Sequence, residues 1–214
     1  MRAGAVAITV GTADVGTGNE YPFGTSSGNE YQQVYNSASF PGAMVIDQVS
    51  FFLTQFTNPR YDRWATGDYS FYLSTTAVAV NQLSPGDFHA NLGPDNALFG
   101  TYHLSGSVPH GQINFLGTGF DYDPNEGNLL LTILVANQIA GQDSFVYLDA
   151  MIGDAGNLTS RQDNYGYGTS GFGLITSFHG TPAIQSVPDG GSTILLLGFG
   201  FLSLAVFAFK RQRK

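Results

Sequence analysis

The 214-residue chain contains no cysteine and few charges of either sign. Without cysteine there is no disulfide, no thiolate nucleophile and no cysteine ligand for a metal. Charged residues make up 11% of the chain, and no lysine precedes Lys210. Up to residue 209, sixteen acidic residues face four arginines, a net charge of −12. Because an acidic surface repels phosphate backbones, nucleic acid is excluded as an expected partner.

Long helical patterns are missing before residue 194, where glycine and proline recur and apolar residues alternate with polar ones. The alternation predicts half-buried strands, with inward positions at Val45, Val49, Phe51 and Leu53, at Tyr69, Phe71 and Leu73, and at Leu98, Tyr102 and Leu104. Residues 129–135 are apolar on both faces apart from Thr132, which predicts a central, covered strand. We expect an all-β sandwich of about eight to ten strands, with jelly-roll connectivity.

The chain ends in an uncharged run from Ile194 to Phe209, followed by a basic terminus of Lys210, Arg211, Arg213 and Lys214. The run is about 24 Å long as a helix, against a hydrocarbon core of about 30 Å. We therefore expect one transmembrane α-helix, with the basic stop in the cytoplasm and the body across the membrane. A buried core helix is the alternative, but it has little reason to be apolar on every face.

The tail resembles the PEP-CTERM type of sorting signal. Its motif, Val187, Pro188, Asp189, Gly190 and Gly191, is similar to the VPDSG-CTERM variant, with glycine where that name has serine. The resemblance implies an exported protein whose Val-Pro motif is recognised by an integral membrane exosortase, which removes the helix. It also implies a membrane precursor with its body outside the inner membrane, released afterwards to the cell surface or the extracellular space.

The expected organisation has five parts. Residues 1–19 are an N-terminal segment whose small residues resemble the end of a signal peptide. The β-sandwich follows at 20–183 and the linker with the sorting motif at 184–193. The helix occupies 194–209, and the basic stop occupies 210–214. As an alternative, the helix alone acts as a tail anchor and leaves the body in the cytoplasm. The basic residues beyond the helix argue against this alternative.

Few residues of the chain are candidates for catalysis or metal binding. The four histidines, His89, His103, His110 and His179, lack metal-binding spacing. Asp121, Asp123 and Asn125 offer the oxygen ligands that calcium prefers, but their spacing fits a strand-to-strand turn better. We therefore expect no cofactor, and calcium binding that is weak at most.

Three functional classes follow from these observations. The first is an exported surface or matrix protein with a structural or adhesive role and no catalysis. The second is a lectin-like module for exopolysaccharide, which would require exposed aromatic contacts at Tyr61 and Trp64, or at Tyr165 and Tyr167. The third is a polysaccharide enzyme with two carboxylates about 5–10 Å apart, for which the sequence identifies no pair. We expect the first class, with the exosortase and the membrane as partners.

Overall fold

The structure is a computed structural model that describes residues 4–13, 18–24, 30–53, 64–108, 111–139, 146–152, 157–164 and 171–183. Its contacts divide the chain into two compact units, Met1–Ala183 and Ile184–Lys214. None of the described helices is long and apolar enough to cross a membrane. The helix expected over residues 194–209 lies outside the described residues.

Strands dominate the described part of the chain, which confirms the all-β class. They are β1 Val6–Val10, β2 Gly18–Asn19, β3 Glu30–Tyr35, β4 Met44–Phe52, β5 Trp64–Thr76, β6 Ala97–Ser107, β7 Gln112–Tyr122, β8 Asn128–Ala136, β9 Leu148–Asp149, β10 Thr159–Asp163 and β11 Thr176–Pro182. Two short 3₁₀ turns, Ser37–Ser39 and Phe88–Asn91, lie between them.

Two sheets form the sandwich. A four-stranded sheet has the order β1-β11-β4-β7, and a five-stranded sheet has the order β10-β3-β8-β5-β6. A third, two-stranded sheet joins β2 to β9. Four antiparallel pairs are nested along the chain, since β5 pairs with β6, β4 with β7, β3 with β8 and β1 with β11. This is the pairing of one long hairpin rolled over on itself.

The inner faces of the two sheets meet in a core rich in aromatic rings. Fully buried rings come from both sheets, among them Tyr31, Tyr35, Tyr69, Phe71, Phe51 and Phe178. Phe23, from the segment between β2 and β3, stacks on Phe115 with ring centroids 5.5 Å apart. Such pairs contribute about 0.5–1.5 kcal/mol each beyond the burial of their area. The core therefore needs no disulfide to hold the sheets together.

The outer face of the five-stranded sheet is partly covered by residues 77–96, the connection between β5 and β6. Val80 and Leu83 of this connection pack on Val34 and Leu130, which point away from the main core. The connection also buries Gln32, whose amide donates to the Phe88 carbonyl at 3.0 Å. This cover explains why β8 is apolar on both faces, and the expected central strand over residues 129–135 is confirmed.

The boundary predicted from the sequence places the start of the sandwich at residue 20, but the sandwich begins earlier. Val6–Val10 forms β1 and pairs with β11 along its whole length. Val10 is buried, and Val6 and Ile8 pack against the core from the edge of the sheet. Apolar residues alternate here with exposed Ala7 and Thr9, so part of the segment assigned to residues 1–19 is an edge strand of the domain.

Two irregularities in pairing correct the predicted inward positions. Asp47 is an extra residue of β4 relative to β11, and this bulge places Ile46 in the core and leaves Val45 half-exposed. Phe99 is likewise extra in β6, because Gly100 pairs with Phe71 but Leu98 pairs with Tyr72. Phe99 is therefore buried, and Leu98 is 49% exposed. Each bulge exchanges the two faces of its strand.

Candidate functional site

The residues predicted for sorting lie outside the described residues. These are the motif from Val187 to Gly191 and the basic stop formed by Lys210, Arg211, Arg213 and Lys214. The same is true of three of the predicted glycan contacts, Tyr61, Tyr165 and Tyr167, and of the side chain of Trp64. These assignments stay predictions from the sequence.

The predicted calcium residues lie at the turn that carries the chain from β7 to β8, and thus from one sheet to the other. One carboxylate oxygen of Asp123 accepts hydrogen bonds from the main-chain N–H of Asn125 at 2.9 Å and from its side-chain amide at 2.8 Å. The Asp123 carbonyl accepts from the N–H of Glu126 at 3.0 Å. Asp121 lies on the exposed face of β7. The arrangement is a turn in which an aspartate side chain holds the local backbone.

No group of three or more histidine and acidic side chains in the described part of the chain is placed to hold a metal ion. His103 instead contacts Asp68, with 2.8 Å between the ring Nδ1 and a carboxylate oxygen. Asn137 donates to the other oxygen of Asp68 at 2.6 Å. Two hydrogen bonds lower the pKa of Asp68, and the bond from Asn137 has a larger effect than the bond from His103. The pair lies on the protein surface, with the His103 side chain 68% exposed.

A buried ion pair lies at one edge of the sandwich, on a strand whose sequence contains no apolar residue. Arg161 and Asp163 of β10 form this pair, with side chains 9% and 1% exposed, and both face inward beside β3. The Arg161 guanidinium lies 5.4 Å from the ring centroid of Tyr21. Burial raises the pKa of neighbouring Tyr31, against the opposing influence of Arg161. Hydrophobic periodicity misses such a strand because Thr-Ser-Arg-Gln-Asp contains no hydrophobic residue.

A groove of about 890 Å³ opens at the opposite edge, between β6 and β7. Its lining is mixed, with apolar surface from Tyr102, Leu104, Val108, Ile113 and Phe115 and the rest from His103, Gly106 and serine, threonine, asparagine and glutamine side chains. The Tyr102 hydroxyl donates to the Leu116 carbonyl at 2.8 Å and so connects the two strands. The described lining holds no carboxylate. His103 of the lining contacts Asp68, which lies outside the lining.

Comparison with known families identifies the end of the chain. Residues 186–213 match the family model described as the VPDSG-CTERM motif. The tail is a VPDSG-CTERM motif. Searches of curated proteins and of solved structures each returned no match.

The VPDSG-CTERM motif marks an exported protein that is sorted through a C-terminal signal and made as a membrane-anchored precursor. It also implies processing by a membrane-associated exosortase. The match covers the Val-Pro segment, the apolar run and all but the last of the basic residues. It therefore agrees with the resemblance noted from the sequence.

Proposed function

We propose that the protein is an exported component of the cell surface or extracellular matrix, with a structural or adhesive role and no catalysis. The match of residues 186–213 to the VPDSG-CTERM motif carries the proposal. The body is compatible with such a role, since its described residues form a β-sandwich with a core of packed aromatic rings. Exopolysaccharide is the partner that the polar, acidic surface would meet in such a matrix.

The proposed body is a jelly roll. Its support is the nested pairing of β1 with β11, β3 with β8, β4 with β7 and β5 with β6, which divides eight strands between two antiparallel sheets. Strand β10 is an addition beside β3. Because jelly rolls host many unrelated functions, the role of this body follows from its surface and its sorting rather than from its fold.

The proposed processing proceeds in two steps. Residues 194–209 hold the exported body at the membrane, with the basic stop inside, and the exosortase then cuts near Val187–Gly191. Pro188 restricts the residues around it to extended backbone, and the glycine pair that follows lets the chain lie close to an enzyme surface. A simple membrane anchor would need the apolar run and the basic residues but not the Val-Pro motif.

Mass spectrometry of the mature protein from the native cell tests the proposal. We expect chains that end near residues 187–191 and lack the helix. A variant with Val187→Ala and Pro188→Ala should accumulate uncut, whereas Pro182→Ala, at the end of β11, should be processed normally. Recovery of unaltered chains that end at Lys214, in cells with an active exosortase, would overturn the sorting proposal and leave a simple anchor.

A further inference from the structure

The two sides of the sandwich differ in how their edge strands are protected. On one side the edges are β1 and β10, each five residues long, and β10 carries the inward-facing pair Arg161 and Asp163. Short edge strands and inward charges are two ways in which proteins prevent their edges from pairing with other chains. On the other side the edges are β6 and β7, each eleven residues long.

Bulges and side chains protect only part of this second side. The extra residue Phe99 interrupts β6 near its start, and the Thr118 hydroxyl lies 3.4 Å from the carbonyl oxygens of Leu98 and Phe99. The following residues, Thr101–Ser107, pair regularly with β5. Among the described strands, β5 is the single neighbour of β6. Within the described residues, no strand pairs with the other side of this seven-residue stretch of β6, so its outward main-chain donors and acceptors form a regular row there.

The charge distribution favours a second copy of the chain as the partner for this row. Residues 101–107 contain no lysine, arginine, aspartate, glutamate or proline, and neither do residues 112–116 of β7. The chain as a whole carries −8, and two copies with the same net charge repel each other. The β6 segment itself brings no carboxylate to this edge, and Asp68 of the neighbouring β5 is held there by contacts with His103 and Asn137. Two identical edges are also self-complementary when they run antiparallel about a two-fold axis.

We propose that Thr101–Ser107 of β6 pairs antiparallel with the same segment of a second copy, so that two five-stranded sheets join into one continuous ten-stranded sheet. The interaction is β-strand addition, in which main-chain hydrogen bonds supply the affinity. It belongs to the body and does not depend on whether the tail is processed. Copies sorted to the same surface would meet there at high local concentration.

Sedimentation of the full chain in detergent tests the pairing. Ser105 is exposed in the middle of the open stretch, and Ala7 is exposed on the short edge strand β1. Ser105→Lys places a charge beside the partner strand and should raise the dimer dissociation constant by more than about tenfold. Ala7→Lys is the matched control and should leave dimerisation unchanged, which also separates this contact from any association through the tail.

Because the chain contains no cysteine, a single introduced cysteine allows a second test by cross-linking. Ser105→Cys treated with a short bis-maleimide should yield a covalent dimer, whereas Ala7→Cys should yield little. A chain that stays monomeric up to roughly 100 μM, or a Ser105→Lys variant that dimerises as well as Ala7→Lys, would overturn the proposal. Equal cross-linking at both introduced cysteines would also overturn it.

Discussion

At the scale of single residues, the Arg161–Asp163 pair makes the stability of the body sensitive to the loss of either partner. Both side chains are almost completely buried. Removing one partner of a buried pair leaves an uncompensated charge, which typically costs about 3–5 kcal/mol, whereas an apolar replacement of both is often neutral. We expect Asp163→Ala to lower the free energy of unfolding by about that amount and Arg161→Met with Asp163→Leu to lower it far less.

Urea unfolding followed by tryptophan fluorescence measures both variants, since the chain has one tryptophan. The double variant is the control for the loss of packing. A cost below about 1 kcal/mol for Asp163→Ala would show that the pair behaves like a solvated surface pair.

Because several tyrosines are buried, we expect the free energy of unfolding to fall at high pH. Burial raises the pKa of Tyr69 to about 12, and raises those of Tyr31 and Tyr35 as well. The unfolded chain loses these protons near pH 10, so the folded state is the one that keeps them. Stability is therefore full below about pH 10 and falls as the pH rises toward 12, by about 1 kcal/mol per pH unit for each such tyrosine.

Thermal melts at pH 9, 10 and 11 measure this slope. Tyr69→Phe removes one of the groups and should make the slope shallower, although it also removes the hydrogen bond to the Thr66 carbonyl and so lowers stability at neutral pH. Equal slopes for the two proteins would contradict the assignment to Tyr69.

The turn at Asp123 predicts how the chain responds to calcium. The Asp123 carboxylate already accepts two hydrogen bonds from Asn125, so we expect added calcium to leave the melting temperature unchanged. Asp123→Ala should lower stability by about 1 kcal/mol with or without calcium, because it removes the turn's side-chain hydrogen bonds. Calorimetry and melting with and without calcium check this. A calcium-dependent rise in melting temperature that Asp123→Ala abolishes would contradict it.

At the scale of the elements, the close approach of β7 to β6 depends on glycine at position 117. A β-carbon there would lie 2.3 Å from two atoms of the Phe99 ring, the residue that the β6 bulge turns inward. Gly117→Ala should therefore force the ring or the strand to move and cost about 1–3 kcal/mol. Gly86→Ala, which meets no atom within 4 Å, is the matched control. Similar urea midpoints for the two variants would show that the strands separate without strain.

At the scale of the whole molecule, the charges of the chain are divided between an acidic body and a basic end. Lys210, Arg211, Arg213 and Lys214 supply half of the eight basic residues. Changing all four to glutamine should remove the signal that holds the terminus in the cytoplasm, so less body is exposed outside and less is released. Protease added to intact cells measures the exposed fraction. Gln212→Asn is the control, and unchanged exposure in the four-residue variant would contradict this role.

The sequence alone determined the tail, because a sorting signal is a linear feature. Val187-Pro188, an apolar run and a basic end can be identified in order along the chain, whatever the rest of the molecule does. The all-β class was equally local, since alternation with period two recurs in strand after strand. The inward positions of Tyr69, Phe71 and Leu73 follow from that alternation and are confirmed.

Only the tertiary structure decided on which face of its strand a side chain lies after a bulge, which polar residues are buried and which strand edges stay open. A bulge is set by the partner strand, so the exchange of Leu98 for Phe99 depends on contacts with β5 far away in sequence. Arg161 and Asp163 are buried because β3 places them inside the sandwich, although their own segment has the composition of a surface loop. The open edge of β6 is likewise a property of strand order, which depends on all the pairings together rather than on any one segment.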